Sequence, residues 1–315
     1  MKRQWGELVG SSAAIRKVYA TLEKVASTDA NVLVWGESGT GKEVLAQRIH
    51  DFSQRNSGPF VKVDLGAIVE HLFESELFGH TAGAFTGAAV NKVGRMQLAE
   101  KGSLFLDEIS NLSLPLQAKL LTVLQQRLIL PLGQVAPISV DFRLICATNQ
   151  PLKELVQQGL FRQDLLYRIN TVEIHLPPLR ARKEDIRPLA EHFLQKYAMH
   201  YQQAVPQLTS SAWQFLQKYD WPGNVRQLQH SMERAVILGE GNPLPPEFIH
   251  AQFLEQESEG MYLHTLNLQE VEIQVIQLAL RKHAGNITYA ARDLGITRTS
   301  LYRRLEKYHI NEDSY

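Results

Sequence analysis

The run Gly36-Glu37-Ser38-Gly39-Thr40-Gly41-Lys42 follows the pattern G-x-x-x-x-G-K. Glycines at that spacing let backbone N–H groups wrap a chain of phosphates, and the closing lysine reaches the β and γ oxygens. An apolar run at 31–35 precedes the loop and a helical pattern follows at 43–52. The loop thus leads into a helix N-terminus, whose field favours an anion. Glu43 stands where the general pattern has a serine or threonine on Mg²⁺. A carboxylate there either reaches the metal through water or does nothing, which shifts the metal chemistry to a second acidic site.

That site is Ser103-Leu104-Phe105-Leu106-Asp107-Glu108, an apolar strand delivering two acids at its C-terminal edge. Ligands of parallel sheets bind at that edge. Asp107 can hold Mg²⁺, and Glu108 can orient and deprotonate an attacking water. Alone, such a pair is most often solvated; beside a phosphate loop it reads as the hydrolytic half of an ATP site. A further apolar run at 141–147 ends in Thr148-Asn149. Those groups either line the same crevice and touch the γ-phosphate or cap a turn.

These strand ends must be brought together by a sheet. Short apolar runs at 31–35, 60–64, 103–107, 141–147 and 171–176 alternate with helical patterns such as 43–52 and 116–127. That order predicts a parallel α/β sheet flanked by helices. Pro177-Pro178 stops it, and 183–201, 210–219 and 225–238 are helical only, the last two parted by the turn Trp221-Pro222-Gly223. The stretch 240–259 has five Glu, no Lys or Arg, and Gly241, Pro243, Pro245 and Pro246 at its start, and so reads as a solvated linker. Three helical segments follow.

With 315 residues, 44% of them hydrophobic, the chain can bury a sizeable core and has room for about two domains. One cysteine, Cys146, rules out an internal disulfide and fits a reducing cytosol. No apolar run is long enough to span a membrane and no signal peptide is indicated. Lys+Arg 33 against Asp+Glu 33 gives zero net charge, which argues against DNA only if the charge is evenly spread. It is not: residues 281–310 carry seven Lys or Arg against two Asp or Glu, net +5, behind the acidic linker.

Just before that basic segment Leu268, Val271, Val275, Leu278 and Ala279 form one helical stripe, and within it Ile287, Ala290, Ala291 and Leu294 form a second. Gly295 supplies a turn before a third helix with Leu301 and Leu305 inward. This is the pattern of a helix-turn-helix. Its outer face shows Arg298, Thr299, Ser300, Tyr302, Arg303, Arg304 and Lys307, types that grip phosphates and read major-groove edges. A helical dimerisation domain with a solvated basic face is the other reading, and both can hold together. In the preceding helical region Asn224 and Gln227 have capping-box spacing, and Val225, Leu228, Met232 and Ala235 form an apolar stripe that excludes Arg226. A cation in a first helical turn opposes the helix dipole, so Arg226 needs another reason.

Gly83-Ala84-Phe85-Thr86-Gly87-Ala88 puts one bulky apolar side chain among residues too small to pack a core. It is either a tight turn whose Phe folds back or a loop that offers Phe85 to a partner. This run resembles the GAFTGA signature of bacterial enhancer-binding proteins, the AAA+ activators of RNA polymerase carrying sigma-54. The resemblance extends over nearly the whole chain: GESGTGKE at 36–43, FLDE at 105–108, FRQDLLYR at 161–168, LPPLR at 176–180, WPGNVR at 221–226 and a Fis-like C-terminus. It implies an AAA+ P-loop parallel sheet flanked by helices, with an α-helical lid and a small all-α helix-turn-helix domain. The implied division is 1–176 for the α/β ATPase subdomain, 177–239 for the lid, 240–265 for the linker and 266–315 for the DNA-binding domain.

The resemblance further implies ATP and Mg²⁺ as cofactors, and in that family Glu43 is the usual residue after the lysine. Phe85 and Thr86, within Gly83–Ala88, become the sigma-54 contact. Arg162 and Arg168, which on residues alone read as surface charge, become fingers acting in a neighbouring subunit, so that a dimer must grow to a hexameric ring. Arg226 becomes a nucleotide-sensing arginine of the lid. Asp64 departs from the family, which usually carries Asn there to hydrogen-bond the catalytic acid; a carboxylate at that spot repels Glu108. The expectation is an ATP-driven activator that binds enhancer DNA and remodels sigma-54 holoenzyme in the bacterial cytoplasm, at the nucleoid when DNA-bound. Because little sequence precedes the ATPase core, a regulatory protein acting in trans is expected, unless a regulatory domain was removed. A DNA-binding regulator that senses nucleotide without remodelling sigma-54 is the alternative, and a replication- or chaperone-type remodeller is disfavoured by the GAFTGA run.

Overall fold

The computed structural model describes residues 9–69, 72–239, 243–246, 268–283, 286–308 and 310. The expected linker at 240–265 lies outside these except for 243–246. Residues separate into two compact units, 1–252 and 253–315.

In the first unit, α1 (Ala13–Ala26), β1 (Val32–Trp35), α2 (Lys42–Asp51) and β2 (Phe60–Asp64) are followed by α3 (Phe73–Phe78), the short pair β3 (Gly79–His80) and β4 (Lys92–Val93), and α4 (Arg95–Leu98). Then come β5 (Ser103–Asp107), α5 (Leu114–Gln126), the pair β6 (Leu128–Ile129) and β7 (Ile138–Ser139), β8 (Arg143–Thr148), α6 (Leu152–Gln157), α7 (Gln163–Ile169) and β9 (Val172–His175). The main sheet is parallel in the order β2-β5-β8-β1-β9. Its central strands β5, β8 and β1 are buried almost throughout because both faces are covered, while the edge strands β2 and β9 expose Lys62, Asp64, Glu173 and His175. In β5, Leu104 and Leu106 pack into the core with α5 and α7, while Phe105 joins the opposite one with α1 and α2.

β8 starts two residues later than the apolar run suggests. Asp141 stays outside the sheet, paired with Arg55 and Lys101. Arg143, only 1% exposed, opens the strand and donates to the carbonyls of Val25, Ala26 and Ala30, capping the end of α1. Burial pushes its guanidinium down to about 10. These three carbonyls replace the water it gives up.

The helical region consists of α8 (Ile186–His200), α9 (Ser210–Lys218) and α10 (Asn224–Leu238). α8 begins three residues after the expected 183 because Lys183–Asp185 is a 3₁₀ turn. Leu228, Met232, Ala235 and Val236 of α10 are buried, as are Leu189, Phe193 and Leu194 of α8. Val225, expected in that stripe, is only half-buried. Nor is there a capping box on Asn224, whose side chain is used elsewhere; instead Gln227 Oε1 accepts from the Gly223 N–H at 3.0 Å.

In the second unit the helices Leu268–Lys282, Ile287–Asp293 and Arg298–Lys307 enclose Ile276, Ala279, Leu280, Ile287, Ala290, Ala291, Leu301 and Leu305. The inner face of the first helix is thus rotated from the expected stripe, and Leu278 is 55% exposed. Gly295 makes the turn at φ 67, and Thr297 caps the third helix through the Ser300 N–H. Among the described residues no helix is long and apolar enough to cross a membrane.

Candidate active site

The phosphate loop leaves β1 and turns into α2 through Gly41, whose φ of 104 favours glycine. Lys42, nearly buried, donates to the Gly36 and Glu37 carbonyls at 3.0 and 3.4 Å and lies 3.4 Å from Glu108. The loop is tied to the sheet by the Gly36 N–H, which donates to Thr148 O. It borders a cleft of about 460 Å³ that also reaches Asp64, Asp107, Glu108 and Arg226. The other wall is apolar, with Ile15, Leu189, Phe193 and Val225. A charged floor beside an apolar wall suits a nucleotide, phosphates at one end and base at the other.

The two acids sit at the end of β5 in unlike settings. Burial, and then the Glu108 charge, raise the Asp107 carboxyl above its usual range, with Lys42 pulling the other way. Glu108 stands in the left-handed region at φ 52, and its carboxylate accepts the Asn149 N–H at 3.2 Å. Such backbone strain is typical where geometry serves chemistry. Two adjoining carboxylates, with Lys42 beside Glu108, fit a divalent cation that takes its remaining ligands from phosphate and water. Glu43 also borders the cleft, and its carboxylate pairs with Lys62 at 2.7 Å.

Asp64 lies opposite Asp107 in the register of β2 and β5 and reaches the cleft, but its carboxylate is turned into its own bend, accepting the Gly66 N–H at 2.9 Å. The acids in electrostatic conflict are Asp107 and Glu108. Thr148 is buried, and its hydroxyl accepts the Gln150 N–H at 3.0 Å, the turn-cap reading of that residue. Asn149 is exposed and meets Glu108 through its backbone N–H.

The helical region bears directly on the loop. Arg226 donates to Ser38 Oγ at 3.3 Å, and its N–H to Gly39 O at 3.2 Å. Arg182, 3% exposed, donates to Thr40 O at 3.0 Å. Arg180 forms a forked pair with Glu37 at 2.8 and 2.5 Å, and Asn224 donates to Glu37 and Ser38. Sequence reasoning passed over Arg180, Arg182 and Asn224 as contacts of the loop. Their only signal is position, within LPPLRAR and WPGN, segments that resemble the family but carry no chemistry of their own in one dimension. In front of α8, Asp185 is fully buried and accepts from the Ser11 and Ser12 N–H groups and the Ser12 hydroxyl, fixing the segment that enters α1.

Arg162 and Arg168 are not in this cleft. Arg162 forks onto Asp164 at 3.0 and 2.7 Å, and Arg168 donates to Leu124 O at 2.7 Å. Both are exposed. The loop 83–88 lies between β3 and β4, closed by Gly83 N–H to Ala88 O and Ala88 N–H to Phe85 O. Phe85 remains 38% exposed and sets an edge against His80 at 5.0 Å, while Thr86 is exposed. Ala88, expected with the contact surface, is buried and closes the loop from within. In the second unit Arg298, Thr299, Tyr302, Arg303 and Lys307 face outward. Arg304 is turned to Glu272 at 2.5 Å and to Ser300 Oγ, so those two side chains are engaged within the unit.

Residues 8–175 match the sigma-54 interaction domain, 180–265 the AAA+ ATPase lid domain, and 267–308 the bacterial regulatory protein Fis family. The regulatory protein AtoC of Escherichia coli K12 is 42% identical over 317 aligned positions, covering 98% of this chain and 69% of that protein. The transcriptional regulatory protein ZraR of Salmonella typhimurium is 45% identical over 304, covering 95% and 68%. Among solved structures, NtrX from Brucella abortus in complex with ADP superposes with a TM-score of 0.73 at 34% identity, covering 96% of this chain and 69% of that one.

Proposed function

The chain belongs to the sigma-54 activator family as an AAA+ ATPase with a Fis-type helix-turn-helix, and on that premise we propose that it couples ATP hydrolysis to remodelling of sigma-54 RNA polymerase holoenzyme. The observation that carries this reading is the Glu108 carboxylate, suspended between Lys42 and the Asn149 N–H at the phosphate end of the cleft. Lys42 neutralises the β and γ oxygens. Glu108 orients a water and takes its proton, and Asp107 holds Mg²⁺, which when bound supplies charge neutralisation on the phosphates.

Arg162 and Arg168, exposed and away from their own cleft, serve a neighbouring copy, where they stabilise transferred phosphoryl charge. Activity therefore requires a homo-oligomer, up to a hexameric ring. Hydrolysis alters the contacts around Gly36–Lys42 and lifts Phe85 and Thr86 onto sigma-54. The helix Arg298–Lys307 anchors the assembly on enhancer DNA, with Arg298, Arg303 and Lys307 contributing the sequence-independent phosphate grip. The setting is the bacterial cytoplasm.

The test is sigma-54-dependent open-complex formation with hydrolysable ATP. Lys42→Ala is expected to lose both hydrolysis and open complexes, and Phe85→Ala only the open complexes. Open complexes formed by both variants would overturn remodelling and leave a nucleotide-sensing DNA-binding regulator.

A further inference from the structure

The contacts between the helical region and the phosphate loop are centred on Glu37. Glu37 follows the first glycine of the loop, and its backbone carbonyl accepts from Lys42 while its carboxylate meets the helical region. Its carboxylate receives both arms of Arg180 and the amide of Asn224, whose Nδ2 lies 3.1 Å from Glu37 Oε2 and 3.0 Å from Ser38 O. The other end of that amide accepts the Leu179 N–H at 2.8 Å. Asn224 is fully buried, and its φ of 52 is one that asparagine tolerates better than most residues. At the same point the Gly39 backbone approaches the Gly223 carbonyl so closely that a Cβ would come within 2.3 Å. The Arg180 guanidinium holds the Glu37 carboxyl down at about 2, so the pair is charged throughout the working pH range.

We infer that Glu37, Arg180 and Asn224 form a latch that sets the tilt of the lid from the shape of the phosphate loop. The three are positioning residues for nucleotide binding. The latch rests on the ATP reading of the cleft and adds to it a route by which the loop reports its state to α10. A forked Arg–carboxylate pair fixes direction as well as distance, and the buried amide fixes the point of rotation. Arg226, two residues further along α10, is thereby held at Ser38. When bound phosphate reshapes residues 36–38, Asn224 and Arg180 must follow, and the apolar wall on α8 and α10 moves with them.

The experiment compares steady-state ATPase of the whole chain with Arg180→Gln, Glu37→Gln, their combination, Arg180→Lys and Asn224→Asp. Arg180 is exposed, so its replacement leaves the fold intact. Each Gln variant is expected to raise the KM for ATP about fivefold with kcat changed less than twofold, the scale of one partly exposed ion pair. The combined variant should be no worse than either single one, because both remove the same interaction. Arg180→Lys should recover part of the loss. Asn224→Asp keeps the volume but faces Glu37 with a second carboxylate, and should exceed the Gln variants. A KM within twofold of the original in Arg180→Gln, or additive losses in the combined variant, would overturn the latch. Lys42→Ala provides the separate control: if it binds a fluorescent ATP analogue as tightly as the original chain, the ATP reading of the cleft fails, whatever the latch variants do.

Discussion

The phosphate loop at 36–42 and the loop at 83–88 are built from the same small residues and share glycines in the left-handed region, with φ of 76 and 104 at Gly39 and Gly41 against 80 and 103 at Gly83 and Gly87. Their surroundings are opposite. A Cβ on Gly39 would strike the Gly223 carbonyl and one on Gly36 the Leu176 carbonyl, whereas nothing lies within 4 Å of a Cβ on Gly83 or Gly87, nor on Gly41 where the loop turns into α2. In the first loop glycine permits close approach, and four side chains from the helical region grip the result. In the second it permits freedom, and the anchors are a few backbone bonds and the edge of His80. Composition alone does not distinguish a cradle from a lever. What separates them is whether another element comes close enough to need the missing side chain.

The largest test of this contrast is Glu108→Gln. Removing the general base should lower ATPase by on the order of 10²–10⁴-fold while nucleotide binding, measured by titration, persists. Output through Phe85 should vanish with it, although the 83–88 loop is untouched. Next is Gly39→Ala, where displacement of the lid by about 1 Å should cost roughly 100-fold in ATPase. If that variant hydrolyses ATP normally, the close approach at Gly39 is without consequence. Gly87→Ala pays only for a left-handed alanine, about 1 kcal/mol, and should keep ATPase within about twofold while open-complex formation falls by about fivefold. Equal losses in both assays would erase the distinction between the two loops.

How much of this was readable in one dimension follows the same division. Lys42 and the Asp107–Glu108 pair were legible because their chemistry is written in adjacent residues behind apolar strands. The Glu37–Arg180 pair joins positions 143 residues apart, and Asn224 reaches Glu37 across 187. No periodicity links them, and Asn224 looked like a helix cap because its type suits both tasks. Asp64 was expected to confront Glu108; the residues gave no sign that the Gly66 N–H would take up its carboxylate. The inward face of helix Leu268–Lys282 was misjudged because alternative apolar stripes, through Val275 and through Ile276, fit one helix equally well, and only the packed partners decide.

The smallest effect concerns stability. Asp107 has a folded pKa raised above the ordinary 3.8, so the folded chain binds that proton more tightly than the unfolded one. Its contribution to stability is favourable in acid, declines as pH rises through those values, and is fully unfavourable at neutral pH. Asp107→Asn should therefore lose ATPase yet raise the thermal midpoint at pH 7 by roughly 2 °C, read by calorimetry. An unchanged or lower midpoint would mean that the cleft stores no electrostatic cost, and would bring it closer to the unconstrained loop.

Asp185 has one more consequence, a mechanical one. Its carboxylate clamps the Ser11 and Ser12 N–H groups and the Ser12 hydroxyl at the root of α8, three residues beyond the arginine that grips Thr40. The polypeptide at Ser11 and Ser12 is thus tied to the start of α8 rather than draped over it. Tension applied upstream would load Asp185 first and pass by Arg182 into the phosphate loop, a load path that reaches the cleft without touching the sheet.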